Sequence, residues 1–213
     1  MRYLRIGRII TLIIACVILS ISFAIGKIRF FLLLNTDFGK AADYFFAAYT
    51  YLGDGLMWIA VLVITLYILK RKETLPLLIS SFIITTILTQ VCKYFILANE
   101  PRPITAIADH AVIHFVNILG QEPAAISSFP SGHTATAFTF YLLFCVLLNR
   151  KWWVFTGLIY ALLVGYSRIY LAQHFPVDVA AGIIVGAVSV SISLLIQREW
   201  NKRRRSPEQM KHN

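Results

Sequence analysis

Long stretches with few or no charged side chains run through this chain, and they decide what it can fold into. Six of them can be placed, at residues 9–26, 51–69, 75–96, 132–148, 152–166 and 179–197. A bilayer core of ~30 Å is crossed by a helix of ~20 apolar residues. The composition agrees: 58% of the 213 residues are hydrophobic and 14% charged, where a soluble domain carries about a quarter charged residues. The expected class is therefore an all-α polytopic membrane protein with six transmembrane helices in a single domain spanning residues 1–213. Several of the six cores are shorter than a full span, which implies helices that continue into the polar residues flanking them.

The net charge of +10 does not indicate nucleic-acid binding, because the charges sit in short clusters between apolar runs, as the positive-inside rule expects. With both termini in the cytoplasm, fourteen of the Lys and Arg residues fall inside. Only Lys27, Arg29, Lys40, Lys93, Arg102 and Arg168 fall outside. That bias predicts both termini inside, with a basic cytoplasmic tail at about residues 198–213 suited to touching anionic lipid, and the compact chain with six spans looks like a bacterial inner-membrane protein. The N-terminal MRYLRIGR and the run behind it resemble a signal peptide but lack a clear small-x-small cleavage site before Lys27, so they read as an uncleaved first helix. Between the first two spans, Phe38, Ala41, Phe45, Ala48 and Leu52 recur at helical spacing, off the line of Lys40 and Asp43. An interfacial amphipathic helix and an ordinary packed connector both fit that stripe. Cys16, Cys92 and Cys145 lie inside apolar runs and are odd in number, which implies buried thiols and no disulfide framework.

This topology puts three polar clusters on one membrane face: KYFILANEPRP at 93–103, FPSGHTATAF at 129–138 and SRIYLAQHFPVD at 167–178. Lys93, Arg102 and Arg168 are cations beside a low-dielectric region, where isolated charge is costly. They imply an anionic partner, and a planar guanidinium suits phosphate. Pro-Ser-Gly-His opens a helix, whose first N–H groups receive anions. Gly132 allows close approach of the backbone, and Ser131 adds a hydroxyl. His174 lies four residues before Asp178, close enough for the carboxylate to hold one ring nitrogen and leave the other to attack. His133 can then protonate a leaving alkoxide. Ser131 and Asp178 read equally well as helix caps, and arginines at span ends often snorkel to headgroups. His110 and His114, at i and i+4 in the loop 99–128, would suit zinc only with a further ligand that the sequence does not indicate, so a surface or headgroup-contacting role is expected. His212 lies in the tail.

These motifs resemble the type-2 phosphatidic acid phosphatase superfamily. SRIYLAQHFPVD matches its S-R-x5-H-x3-D signature and FPSGH its P-S-G-H signature. The first family motif, K-x6-R-P, is matched loosely, since eight residues separate Lys93 from Arg102. The resemblance covers roughly residues 75–196. It implies His174 as the nucleophile forming a phosphohistidine, Asp178 as its partner and His133 as the acid. Lys93, Arg102, Ser131, Gly132 and Arg168 would bind the phosphate, without a metal or other cofactor. The function expected is hydrolysis of a lipid phosphate or diphosphate on the extracytoplasmic side, with phosphatidic acid, phosphatidylglycerophosphate, undecaprenyl diphosphate or lipid A phosphate as substrate. A transporter or channel for an anionic solute is the alternative from another class, and a catalytically inactive lipid-binding relative is a third.

Overall fold

The computed structural model of the chain describes residues 2–119 and 125–209, the last five by backbone alone. Lys211 and His212 of the expected tail, and part of the expected loop 99–128, lie outside the described residues. Nine α-helices and several tighter or wider turns are found among the described residues, and no strand.

Helix α1, Arg2–Ile25, carries the first apolar run and stops at Gly26, whose φ of +84° few other residues adopt. Then come α2 (Lys27–Leu34) and α3 (Lys40–Tyr49), the latter tightening into a 3-10 turn at Thr50–Gly53. Helix α4, Met57–Val63, widens into a π-turn at Ile64–Ile68, and α5, Leu75–Val91, does the same at Cys92–Ile96. A long loop holds the short α6, Pro103–Ala106. The last three helices are α7 (Gly132–Leu147), α8 (Lys151–Tyr170) and α9 (Pro176–Gln209).

By length and composition, four helical stretches suit a membrane crossing: Arg2–Ile25, Lys72–Ile96, Lys151–Tyr170 and Pro176–Arg204. The pair Lys40–Gly53 and Met57–Ile68, bent by 60°, makes a fifth if taken as one span. Helix α7 falls short at 16 residues, about 24 Å of rise. The helices do extend past their apolar cores: α8 continues to Tyr170 through Ser167 and Arg168, and α9 continues to Gln209. Residues 198–209, expected as a tail, are thus the end of a helix, on which Lys202 pairs with Glu199 one turn earlier at 2.6 Å.

Burial is organised around α7. Twelve of its sixteen residues are buried, and α1, α5, α8 and α9 all pack against it. The surrounding helices turn large apolar side chains outward, among them Ile13 and Val17 on α1, Ile83 and Ile87 on α5, Phe155 and Ile159 on α8 and Ile196 on α9. An apolar shell over a partly polar interior is the surface of a membrane protein.

Helix α3 turns the opposite way from its sequence stripe. Phe46, Ala47 and Thr50 are buried, while Phe38 and Phe45 are about half exposed or more. The reason is aromatic and polar contact with α8. The Phe46 ring lies 5.3 Å from that of Tyr166 and 4.6 Å from that of Tyr170, and the Tyr170 hydroxyl donates to Asp43 at 2.7 Å. The apolar stripe therefore faces away from the protein.

Two glycines set the distance between α7 and α9. A Cβ at Gly182 would stand 2.6 Å from the Ser131 carbonyl oxygen, and one at Gly186 would stand 3.0 Å from the Ala135 oxygen and Phe138 Cβ. Small residues one turn apart let helix backbones meet in an apolar medium, where dispersion rather than water exclusion drives association. Gly182→Val is expected to destabilise the protein by about 1–3 kcal/mol or more and to lower its melting temperature in detergent. Gly55→Ala, whose added methyl meets nothing within 4 Å, is expected to melt like the wild type. Equal melting of both variants would show that the α7–α9 approach is not under steric control.

Candidate active site

The segment between α8 and α9 places the first histidine. Its chain reverses at Ala172, with φ +51°, and the backbone N–H groups of Gln173 and His174 both return to the Arg168 carbonyl, at 2.9 and 3.1 Å. His174 is thereby held 2% exposed. In the first turn of α9, Asp178 Oδ2 accepts the Phe175 N–H at 2.9 Å and the Ser128 hydroxyl at 2.5 Å. The helix-capping role and the site role thus fall on one carboxylate. His174 Nδ1 lies 3.7 Å from the same oxygen and makes no hydrogen bond. The carboxylate is the neighbour of the ring, at a separation longer than a hydrogen bond.

The second motif meets the third directly. Ser131 donates its backbone N–H to the Asp178 carbonyl at 3.0 Å. The Ser131 side chain is the N-cap of α7, its oxygen 2.8 Å from the Thr134 hydroxyl and accepting the Thr134 N–H at 3.5 Å. Gly132 follows in the first turn, with only Thr89 near a Cβ placed there. His133 Nε2 stands 3.7 Å from Asp54 Oδ2. Gly132 and His133 line a cavity of about 370 Å³ whose other walls include Thr89, Gln90 and Phe82. An apolar cavity of about 370 Å³ shares Gly55 and Phe82 with it and continues past Leu56, Trp58 and Ile79.

Three cations complete the cluster. Arg168 donates to Thr50 Oγ1 at 2.7 Å. Arg102 is 9% exposed and donates to the Ile126 carbonyl at 3.0 Å, the Gln173 carbonyl at 3.2 Å and the Gln173 amide oxygen at 2.8 Å. The strands of loop on either side of it are joined by Arg102 N–H to Ala125 O and Ser128 N–H to Glu100 O, both at 3.1 Å, and Glu100 pairs with Lys27 at 2.6 Å. Lys93 sits on the π-turn Cys92–Ile96 and lies within electrostatic reach of Arg102, Arg168 and Asp178. The wide turn, followed by left-handed Asn99 at φ +68°, takes up the two extra residues of K-x8-R-P.

Burial and then the charges of Arg102, Arg168 and Lys93 push the His174 imidazole well below its ordinary range, with the Ser128 backbone pulling the other way. Burial also lowers Arg102, and Asp178 opposes that. The site therefore presents a neutral imidazole among cations, a combination suited to attack on an anionic electrophile.

All eight residues singled out in the sequence gather at one end of the bundle. Five partners were not foreseen: Thr50 and Gln173, which hold the arginines; Ser128, on Asp178; Asp54, beside His133; and Asn35. The 4% exposed Asn35 amide donates to the carbonyls of His114, Ile169 and Tyr170 at 2.9–3.1 Å and accepts the His114 N–H at 2.8 Å. Single polar residues beside the motifs were the only signal for any of these.

His110 and His114 do not form the i, i+4 pair considered for zinc. His110 opens a 3-10 turn, whereas the His114 ring is 2.9 Å from Asp43 Oδ1 and packs on Tyr170. His114 is therefore an internal tether, not a headgroup-contacting surface residue. Ligand atoms of His114, Asp37 and Asp43 lie within 4.8 Å of one another, and none of the three belongs to the cationic cluster.

The folded state disfavours charge on His174, so protonation favours unfolding. The stability this provides is present above the ordinary imidazole pKa of ~6.5 and is lost as pH falls below it. In histidine-labelled protein, the NMR signals missing from His174→Gln are expected to report a neutral ring at pH 6; an imidazolium signal there would refute the burial argument.

Residues 74–202 match the family model described as the PAP2 superfamily. The chain is 31% identical over 148 residues to an undecaprenyl-diphosphatase of Sulfolobus acidocaldarius, covering 68% of this chain and 66% of that one. It is 27% identical over 150 residues to a lipid A 4'-phosphatase of Bacteroides thetaiotaomicron, covering 68% and 64%. It thus spans just under two thirds of the length of these two relatives. The crystal structure of Aquifex aeolicus LpxE superposes with a TM-score of 0.64 at 33% identity, over 78% of this chain and 93% of that one.

Proposed function

Because the chain belongs to the PAP2 superfamily, we propose that it is an integral membrane phosphatase that hydrolyses a lipid phosphate or lipid diphosphate through a phosphohistidine. The observation that carries this reading is the buried His174 within electrostatic reach of Lys93, Arg102 and Arg168, with Asp178 3.7 Å from Nδ1. The names of the relatives, an undecaprenyl-diphosphatase and a lipid A phosphatase, support a lipid substrate. So does the apolar cavity that adjoins the His133 cavity, which would hold a prenyl or acyl chain while the headgroup meets the cations.

In the proposed reaction His174 Nε2, the nitrogen facing away from Asp178, attacks phosphorus. The bond from phosphorus to the leaving oxygen breaks, and that oxygen takes a proton from His133, whose Nε2 stands 3.7 Å from Asp54 Oδ2. Asp178 closes on Nδ1–H as the imidazole becomes cationic. Water then attacks the phosphohistidine, giving its proton back to His133 and releasing phosphate. Lys93, Arg102, Arg168 and the first N–H groups of α7 offset charge on the equatorial oxygens. The Ser131 hydroxyl, engaged in capping α7, serves chiefly to hold those N–H groups in place. These side chains would supply the charge that a metal supplies elsewhere, so no metal is required.

For topology we propose six crossings: the four long helices, the bent pair of α3 and α4, and the protein-enclosed α7. Both termini would be cytoplasmic and the site would open on the extracytoplasmic side of a bacterial inner membrane. The Lys and Arg distribution supports that orientation, and the outward apolar stripe of α3 would rest in the interface.

Phosphate release in excess chelator from phosphatidic acid, phosphatidylglycerophosphate, undecaprenyl diphosphate and lipid A tests the proposal. Wild-type protein is expected to release phosphate from at least one of them and to be inhibited by vanadate, a pentavalent phosphoryl mimic. His174→Ala is expected to lose about 10³-fold or more, and full activity in that variant would refute the nucleophile. Arg168→Ala is expected to lose on the order of 10²-fold in kcat, and a near-normal rate would refute the cationic cradle.

A further inference from the structure

The end of the bundle remote from the site carries a second feature shaped for an amphiphile. Arg198 follows Asp178 on α9 by 20 residues, about 30 Å of helical rise. There α1 and α9 leave a groove of about 620 Å³ between them. Arg5 and Arg8 from α1 and Arg198 from α9 stand along it, above Ile9, Leu12 and Leu195. Those three apolar side chains are about half exposed, so the groove opens sideways onto whatever surrounds the bundle. No acidic residue lines it. Among the described residues no ion pair or hydrogen bond engages the Arg5 or Arg8 side chain, and the next acid along α9, Glu199, is taken by Lys202 at 2.6 Å.

Like charges converging beside an apolar trough repel unless an anion separates them. A soluble anion would satisfy the arginines and leave the trough uncovered. A neutral lipid would cover the trough and leave Arg5 and Arg8 without an anion. An amphiphile with a phosphate head does both, since guanidinium forks bind phosphate oxygens in pairs and basic clusters at helix ends attract anionic lipid. We infer that this groove binds one anionic phospholipid from the leaflet opposite the active site. Its phosphate sits between Arg5, Arg8 and Arg198, and an acyl chain lies along Ile9, Leu12 and Leu195. The ligand is a phosphodiester with no terminal phosphoryl group, so it is distinct from anything the proposed chemistry consumes.

The test is native mass spectrometry of the full-length protein titrated with phosphatidylglycerol or with phosphatidylcholine of the same chains. Wild-type protein is expected to retain a single phosphatidylglycerol at concentrations where phosphatidylcholine adducts are roughly tenfold fewer. Arg5→Gln/Arg8→Gln is expected to fall to the phosphatidylcholine level. Leu195→Trp, which fills the trough and keeps every charge, is expected to lose the adduct too, and it decides the question alone if the double variant fails to insert. Phosphate release unchanged in both variants would show the catalytic end intact. Equal retention of the two lipids by the wild type would overturn the inference and leave the arginines as topology signals only. Undiminished phosphatidylglycerol retention in Leu195→Trp would overturn it as well.

Discussion

The approach of α7 to α9 is the contact on which the rest of the site depends. Gly182 and Gly186 let the two backbones close until a single Cβ would collide with the Ser131 or Ala135 oxygen. At the open end of that contact the Ser131 N–H bonds the Asp178 carbonyl at 3.0 Å. Two motifs, whose bonded residues Ser131 and Asp178 lie more than forty positions apart in the chain, are thereby locked in register. The capping serine, His133 and the carboxylate are positioned at helix ends, and His174 on the short turn that joins α8 to α9. Such a scaffold holds catalytic geometry with little conformational freedom to lose on binding.

Around that rigid pair the protein gathers three cations, Lys93, Arg102 and Arg168. Arg102 is held by two carbonyls and an amide oxygen, and Arg168 by a hydroxyl of Thr50. The acceptors on Arg102 are neutral oxygens, which fix the direction of its guanidinium. Asp178, the buried carboxylate nearby, has its Oδ2 occupied by Ser128 and Phe175. Concentrating cations at low dielectric is unfavourable for the empty protein, and the imbalance is relieved by an anion entering the site. Burial first, and then the same field, push the His174 imidazole well below its ordinary range. On the proposed reading, one arrangement both attracts a phosphate and leaves the attacking nitrogen unprotonated.

How much of this was legible in the sequence depends on the range of the interaction involved. The eight site residues lay in short motifs, and hydropathy with the Lys and Arg count put those motifs on one face, so their convergence followed from topology alone. The spacing of Lys93 was not decodable, because a π-turn and an αL residue at Asn99 leave no pattern at the level of residue types. The face of α3 was left open between an interfacial helix and a packed connector, and the exposed stripe agrees with the first. In a membrane protein the apolar stripe of a peripheral helix need not be the buried one, and here Phe46, Asp43 and Thr50 turn inward to meet Tyr166, Tyr170 and Arg168. Asn35, Thr50, Asp54 and Gln173 escaped notice because each acts through a partner far along the chain. The basic segment 198–209 carries no sign of where α9 ends, because basic and acidic residues are good helix formers, and α9 continues through it.

The shortness of α7 gives the final link between fold and chemistry. A helix of 16 residues rises about 24 Å, less than a bilayer core of about 30 Å. A lipid-exposed helix of that length would be mismatched, but α7 is enclosed by its neighbours and never has to match the membrane. Its first turn, with Ser131, Gly132 and His133, can therefore lie recessed within the bundle. The cavity beside His133 adjoins an apolar one that shares Gly55 and Phe82 with it. On the proposed reading, a lipid keeps its chain in an apolar environment while its phosphate reaches cations sunk below the surface. Lengthening α7 to span the bilayer unaided would lift those N–H groups into water, where the cationic field is screened and the attacking histidine loses its shelter.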